Sequence, residues 1–360
     1  MSPDPAAPAL LAAIASRAGA ADHREGDVAA DVAALHQAGW LAACLPHAAG
    51  GAGWGTEPGG TLAALDALRG LGRSNLSVAR LFEGHMNAVK LVALYAAEEL
   101  REKSFAAVRD GVLFGVWGAD DPARPLALRD EGDALILEGA KRFASGLGIV
   151  RHAVVTAGDR LLLVPTDDDT RADPAGWTMA GMRATRSGRY DFTGLALPPN
   201  ALLGEAGDYY REPFFEGGVW RYCAAHLGGA EALHDAVCET LVGLGRTGDP
   251  HQQDRIAVSA MALETARLWL LRAASEVEAE GADPRKAALS LFAREVTERS
   301  CREVIAAAER ALGMAAHVEG SVIERMRRDL ALFLCQAAPD AKRARAVGTL
   351  LDTGTRIEEL

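Results

Sequence analysis

The sequence predicts an α+β protein in three parts: an N-terminal helical domain, a middle antiparallel β domain and a C-terminal four-helix bundle. Apolar residues recur at helical spacing near the start of the 360-residue chain, as at Leu62, Leu65 and Leu68. In the middle of the chain, short apolar runs such as 112–117 and 161–164 are separated by Asp, Gly and Pro residues, which is the pattern of strands and turns. The expected domains are 1–110, 111–210 and 211–360.

The helical pattern of the first part is interrupted once. Ala88, Leu91, Val92 and Tyr95 share the spacing of one helix face. The glycine-rich stretch 48–55 cannot continue that pattern, because glycine favours turns over helix interiors. We therefore expect helices on both sides of a loop.

Turn and loop signals divide the rest of the chain. Residues 130–133, Asp-Glu-Gly-Asp, predict a hairpin turn between two strands. Beyond residue 213 the apolar spacing is helical again, and Gly and Pro residues at 245–250 and 281–284 predict helix–helix loops. Long helices are expected over 256–280 and 285–312.

Composition excludes several classes of protein. The chain carries 49 acidic and 38 basic residues, a net charge of −11, and 49% of its residues are apolar. It lacks the basic arm or stripe that nucleic-acid binding requires. Its five cysteines are scattered and never spaced as Cys-x-x-Cys, which predicts a reducing compartment and neither a zinc site nor a disulfide framework.

The sequence also lacks the signals of a membrane span, a signal peptide and a metal site. No apolar run approaches the ~18 residues that a membrane span needs, and the Met-Ser-Pro-Asp-Pro start lacks the basic segment of a signal peptide. The nine histidines form no cluster with metal-ligand spacing. We expect a cytoplasmic protein that has no metal, nucleic acid or membrane partner.

Four motifs in chain order are similar to segments of one family. Residues 137–146, Leu-Glu-Gly-Ala-Lys-Arg-Phe-Ala-Ser-Gly, resemble its L-x-G-x-K-x-W-I-T/S-N stretch. The others are 181–185 (G-x-R-x-S/T), 198–204 (V-P-x-x-N-x-L-G) and Gly313, which precedes Arg328 and Asp329 by fifteen residues. Together with the order of the three parts, these motifs resemble the acyl-CoA dehydrogenase family of flavoproteins over roughly residues 30–340.

The resemblance implies an FAD-dependent oxidoreductase acting on a CH–CH group of an acyl-type, possibly CoA-linked, small molecule. It also implies a homodimer or homotetramer. At the positions where the family contacts its flavin, this chain has Phe143 and Ser145, and Trp117 replaces a threonine. Arg246 and Gly313 match the positions that contact the FAD diphosphate and adenine. The loop after Gly313 has lost the family's other glycines, which weakens close approach to a phosphate.

The family's catalytic carboxylate is missing. Its two known positions correspond to Ala337 and Trp220, and neither residue can accept a proton. Glu83 and His85, on a helix that lines the acyl pocket in relatives, are the preferred substitutes, and Asp340 and Glu216 are weaker ones. Arg328 and Asp329 are expected to form an ion pair that fixes the last helix.

Two alternatives remain beside the dehydrogenase. A monooxygenase on the same fold would use reduced flavin and oxygen and would not need the missing glutamate. A catalytically degenerate paralogue would keep the fold as a binding or scaffold subunit.

Overall fold

Helices occupy both ends of the chain and strands occupy its middle, so the predicted order of the three parts is confirmed. The computed structural model describes residues 7–23, 26–336 and 338–360. The helices are α1 (Ala7–Ala21), α2 (Ala29–Gln37), α3 (Trp40–Ala43), α4 (Thr61–Ser74), α5 (Leu76–Tyr95), α6 (Glu98–Arg109), α7 (Trp220–Gly243), α8 (Pro250–Val277), α9 (Ala287–Leu312), α10 (Val322–Phe333) and α11 (Pro339–Thr353). The strands are β1 (Phe114–Trp117), β2 (Ala127–Asp130), β3 (Leu135–Glu138), β4 (Ala140–Ala144), β5 (His152–Ala157), β6 (Arg160–Pro165), β7 (Ala172–Asp173), β8 (Gly188–Asp191), β9 (Leu195–Leu197) and β10 (Leu202–Leu203).

The strands form three small sheets, ordered β1-β5-β6-β10, β2-β3-β9 and β4-β8-β7. Every pair is antiparallel except β1 with β5, which is parallel. The predicted hairpin is present, because β2 pairs with β3 across residues 130–135. The parallel pair needs a connection of many residues, and here that connection contains the β2–β3 hairpin and the β4 strand.

The two long helices predicted in the last part correspond to α8 and α9. Helix α8 begins at Pro250, earlier than predicted, because Asp249 caps it: its side chain accepts a hydrogen bond of 2.9 Å from the backbone N–H of His251. Proline at the first helical position needs no hydrogen-bond partner of its own. The Gly-Pro signal therefore marks the start of the helix.

Glycine lets α4 and α7 pack closely. A Cβ on Gly228 would lie 1.9 Å from the backbone oxygen of Arg69, and one on Gly72 would lie 2.2 Å from that of Ala225. This contact joins the N-terminal helices to the C-terminal bundle. Helix α5 packs on α4, on α7 and on β1, so it stands between the β-strands and the bundle.

Among the described residues, no helix is both long enough and apolar enough to cross a membrane.

Candidate functional site

A cavity of about 810 Å³ lies where α5, α7 and the β-strands meet. One side, here called the β wall, includes Trp117, Phe143, Ser145 and Thr156. A second group of lining residues, here called the helical wall, comes from α5 and α7 and includes Glu83, Asn87, Lys90, Arg221 and Tyr222. The volume is that of a site for a cofactor or a drug-sized ligand.

Phe143 reaches the cavity through a distortion of its strand. The pairing of β4 with β8 shifts register between Arg142 and Ala144, and Phe143 has φ of 56°, in the left-handed region. A bulky residue there costs free energy, and such outliers concentrate at functional sites. The bulge turns the ring toward the cavity, where it lies 6.1 Å from the Trp177 ring at 89° and is 40% exposed.

Ser145 belongs to a chain of hydroxyl groups. The Ser187 hydroxyl donates to Ser145 Oγ at 3.2 Å, and the Thr185 and Ser187 hydroxyls lie 2.8 Å apart. Thr185 Oγ1 also donates to the backbone oxygen of Met182 at 2.7 Å. All four residues line the cavity, so the β wall presents an ordered row of hydrogen-bonding groups.

Trp117 holds the end of this wall in place. Its indole Nε1 donates to the backbone oxygen of Ser145 at 3.0 Å, and its ring packs 5.3 Å from that of Tyr190. The residue is buried and lines the cavity. The indole N–H is therefore used within the protein, and only the ring surface is free to contact a ligand.

A buried lysine fixes the neighbouring loop. Lys141 Nζ donates to Asp120 Oδ1 at 2.6 Å, to Thr156 Oγ1 at 3.0 Å and to the backbone oxygen of Gly118 at 3.3 Å. Burial lowers the pKa of Lys141, although Asp120 opposes that shift. Gly118 and Thr156 line the cavity, so this ion pair sets the shape of its wall.

The β wall fits the ring system of a flavin. An isoalloxazine needs a flat apolar or aromatic neighbour and hydrogen-bonding groups along its polar edge. Phe143 and Trp117 supply the first, and Ser145 with its hydroxyl neighbours supplies the second. The sequence analysis named those three residues but missed Ser187 and Thr156; Thr156 stands out only as a hydroxyl within an apolar run, and Ser187 lies in the polar segment Arg186-Ser187-Gly188.

Glu83 lies in the helical wall with its carboxylate already occupied. Its Oε2 accepts from Arg80 Nη1 at 2.6 Å, and its Oε1 accepts from the Asn87 side chain. The side chain is 4% exposed. Among the described residues that line the cavity, Glu83 is the one carboxylate.

His85 does not line the cavity, which corrects its assignment beside Glu83. It is fully buried, its Nδ1 accepts from the backbone N–H of Phe114 at 3.0 Å, and its Nε2 lies 3.2 Å from the backbone oxygen of Leu41. Burial lowers the pKa of His85 to about 4, so the ring is neutral near pH 7. Both nitrogens are used in packing α5 against its neighbours.

The two base positions of the family offer no proton acceptor. The Trp220 indole N–H donates to Glu278 Oε1 at 3.0 Å within the protein core. Ala337 lies outside the described residues, and an alanine side chain has no acceptor. Of the weaker substitutes, Asp340 is 88% exposed and pairs with Arg343, while Glu216 is buried and pairs with Lys342 and Arg345.

Glu278 joins three residues in a buried cluster. Besides Trp220, it accepts from Arg221 Nη2 at 2.6 Å and from Lys90 Nζ. Burial acts to raise its pKa, but the Arg221 and Lys90 charges outweigh burial and hold the pKa below its usual value. Lys90 and Arg221 line the cavity, so this cluster forms part of the helical wall.

Arg246 and Gly313 lie near each other and away from the cavity. Arg246 Nη1 donates to the backbone oxygen of Ala311 at 3.4 Å, and its Nη2 lies 3.7 Å from Asp249. Gly313 directly follows α9 with φ of 60°. Neither residue lines the cavity of this chain.

Arg328 and Asp329 are in contact, but each has a closer partner. Their charged groups are 3.7 Å apart, whereas Arg328 lies 2.6 Å from Asp22 and Asp329 accepts from the Met182 backbone N–H at 2.7 Å. The pair therefore ties α10 to the N-terminal helices and to the β-strands.

Two sequence families match this chain. Residues 9–111 match "Acyl-CoA dehydrogenase, N-terminal domain", and residues 212–334 match "Acyl-CoA dehydrogenase, C-terminal domain". Together the matches span more than half of the 360 residues.

The individual proteins that resemble this chain have low sequence identity to it. Dibenzothiophene monooxygenase of Rhodococcus erythropolis is 26% identical over 207 residues, which are 51% of this chain and 46% of that protein, so this chain spans about half the length of the curated relatives it matches. The FMN- and indole-bound structure of TdsC from Paenibacillus sp. A11-2 superposes with a TM-score of 0.83 at 20% identity, over 96% of each chain. Methanesulfinate monooxygenase MsuC from Pseudomonas fluorescens superposes with a TM-score of 0.81 at 22% identity, over 99% of this chain and 98% of that one. At these identities the structural matches establish a shared fold.

Proposed function

The chain belongs to the acyl-CoA dehydrogenase family, and from that membership we propose that it is a flavin-dependent monooxygenase rather than a dehydrogenase. Its family membership and its similarity to a monooxygenase support an enzyme of the oxidoreductase type. One observation carries the choice between the two reactions: the cavity holds no free carboxylate among the described residues, because Glu83 is already bound to Arg80 and Asn87.

Dehydrogenation of an acyl group needs a base over the substrate's α-carbon. Loss of a positioned base typically costs ~10²–10⁴-fold in rate. Trp220 cannot serve, because an indole has no basic nitrogen and its N–H donates to Glu278. Both oxygens of Glu83 already accept hydrogen bonds within the protein, Oε2 from Arg80 at 2.6 Å and Oε1 from Asn87, so a substrate proton would have to compete with these donors.

Oxygenation makes different demands, and the cavity supports them. The flavin, when bound, supplies two-electron redox chemistry with oxygen. The protein's task is then to hold the ring, to place a hydrogen bond at its polar edge and to exclude water. Phe143 and Trp117 would contact the ring, the Ser187 hydroxyl orients that of Ser145, and further aromatic residues such as Phe215 and Phe333 line the cavity.

The form of the flavin is a separate question. FAD is the cofactor that the resemblance predicts. FMN is favoured by Met314 and Ala316, which replace two of the family's glycines in a loop that would approach the diphosphate of FAD. TdsC, which shares the fold, was crystallised with FMN. We therefore propose FMN, and flavin released from the purified protein by heat identifies the form by its mass.

The side chains that line the cavity indicate the shape and polarity of the substrate. Tyr209, Phe214, Phe215, Tyr222 and Phe333 all face the cavity. Rings packed in this way suit a flat aromatic or apolar molecule more than a flexible chain. The relative from Rhodococcus acts on dibenzothiophene by its name, and TdsC binds indole, and both are compounds of this shape.

Labelled oxygen tests the proposal. The flavin-loaded protein is reduced chemically, mixed with indole or dibenzothiophene and exposed to ¹⁸O₂. A product that carries ¹⁸O is the expected result. The proposal is contradicted if no labelled product forms and if the protein, given an acyl-CoA instead, removes two hydrogens from it in a flavin-dependent reaction. A Ser145→Ala variant should give less product, because it loses the hydroxyl at the flavin edge.

A further inference from the structure

The helical wall of the cavity contains more buried positive charge than negative charge. Lys90 and Arg221 line the cavity with side chains that are 7% and 2% exposed. Both pair with the same carboxylate, that of Glu278, which is 5% exposed. Two cations therefore share one anion, although buried charges are normally compensated in full.

Several donors of this cluster are unused. Arg221 Nη2 donates to Glu278 Oε1 at 2.6 Å and to the backbone oxygen of Gly55 at 3.1 Å. Arg221 Nε is buried without a partner, and within the described part of the chain its Nη1 makes no hydrogen bond. The Lys90 ammonium has three donors and gives one to Glu278.

Glu278 cannot satisfy the remaining donors. Its Oε1 already accepts from both Trp220 and Arg221, and its Oε2 accepts from Lys90. Burial lowers the pKa of Lys90 to about 8, with Glu278 opposing, so the ammonium is still largely charged at pH 7. The uncompensated charge thus persists where the wall meets the cavity.

We propose that Lys90 and Arg221 bind an anionic group of the substrate, an oxyanion such as a carboxylate carried on a flat apolar body. This deepens the proposed function, because it takes the cavity to be the substrate site. Leu91, Leu94 and Phe214 line the cavity beside Lys90, whose Nζ lies 5.1 Å from the Phe214 ring centre. They supply the apolar contact that such a body needs.

A phosphate on the flavin is the other source of an oxyanion. Lys90 and Arg221 belong to α5 and α7, whereas the aromatic rings and hydroxyl groups that fit the isoalloxazine belong to the β wall. Arg221 is also the second residue of the 24-residue helix α7, so the helix N-terminus adds to the attraction for an anion there. These positions assign the pair to the substrate.

Binding of a matched pair of probes tests the assignment. We would titrate the flavin-loaded protein with 2-naphthoate and with 2-naphthamide, its neutral counterpart, by calorimetry without a reductant. The wild type should bind the carboxylate ~10–100-fold more tightly, as charge-assisted hydrogen bonds in a buried site give. Lys90→Met should abolish that preference, and Lys103→Met, at an exposed lysine paired with Glu99, should keep it.

Three results would overturn the proposal. One is equal binding of the two probes by the wild type, and another is a preference that survives in Lys90→Met. The third is loss of flavin from Lys90→Met with the preference intact, which would assign the cations to the flavin phosphate. Glu278→Gln provides a second variant: removal of the competing anion should increase the preference, and a decrease would contradict the account. The binding measurement involves no turnover, so its failure can be distinguished from failure of the monooxygenase proposal in the test with labelled oxygen.

Discussion

Asp329, in α10, accepts a hydrogen bond of 2.7 Å from the backbone N–H of Met182, between the strands β7 and β8. Met182 has φ of 55°, which is unusual for a residue other than glycine, and its backbone oxygen accepts from Thr185 Oγ1 at 2.7 Å. Thr185 is in turn linked through Ser187 to Ser145. A carboxylate from the bundle thus holds the turn that orders the hydroxyl groups of the β wall.

Asp329→Asn tests this connection through the pH dependence of stability. Burial raises the pKa of Asp329 from its ordinary value of 3.8 to about 6, although Met182 and Arg328 oppose the shift. Because the folded-state pKa is the higher one, this group's contribution to stability is fully present below pH 3.8 and is lost as the pH rises through about 6. The stability of the wild type relative to the variant should therefore fall by ~1–3 kcal/mol between pH 4 and pH 7. Denaturant unfolding of both proteins measures it, and a difference that does not vary with pH would show that burial does not raise the pKa of Asp329.

Ser145→Ala should weaken flavin binding or shift the flavin's reduction potential. A neutral hydrogen bond contributes ~0.5–1.5 kcal/mol, which is up to about ten-fold in the dissociation constant. Fluorescence titration of the flavin measures the affinity. Ser16→Ala is the matched control, since Ser16 is exposed on α1 and bonds only to its own helix. Unchanged affinity and potential in Ser145→Ala would remove that hydroxyl from the site.

Two substitutions of Phe143 separate its backbone from its ring. Phe143→Ala and Phe143→Gly both remove the ring, and both should bind flavin more weakly than the wild type. Only glycine tolerates φ of 56° without strain, so the glycine variant should be about 1 kcal/mol more stable than the alanine variant. Denaturant unfolding compares the two. An alanine variant of equal or greater stability would show that this residue is not strained.

Gly228→Ala should destabilise the protein by ~1–3 kcal/mol or more, because the added methyl group would lie 1.9 Å from the Arg69 backbone oxygen. Gly243→Ala, in the same helix with open space around it, is the control and should stabilise the fold by up to about 1 kcal/mol. Thermal unfolding should give a lower midpoint for Gly228→Ala and a higher midpoint for Gly243→Ala than for the wild type. Similar midpoints would mean that α4 and α7 can move apart at little cost.

The sequence was most informative where the structure is local. The consecutive residues 137–146 were enough to predict the strand that leads to Ser145, and the short apolar runs predicted where the other strands lie. The hydrogen-bond partners within and around the cavity could not be predicted. Ser187 bonds to Ser145, Asp329 to Met182 and Glu278 to Trp220, and only the fold brings these distant segments together.

His85 shows a second limit. Residues three or four apart share a helix face, as Glu83 and Asn87 do on the cavity side of α5. A residue two positions from Glu83 points to the far side, where His85 meets Leu41 and Phe114. Polar residues occur on both faces of this segment and residues 81–86 are all buried, so the sequence pattern does not show which face meets the cavity.

The most direct test of the account is the response of the flavin to acyl-CoA thioesters without oxygen. The flavin-loaded protein is mixed in a stopped-flow instrument with short, medium and long acyl-CoAs, and the flavin absorbance is followed. We expect the flavin to stay oxidised, because Trp220 and Ala337 cannot accept a proton and Glu83 is held by Arg80 at 2.6 Å. Rapid bleaching that disappears in a Glu83→Gln variant would show that Glu83 is a catalytic base and that the protein is a dehydrogenase.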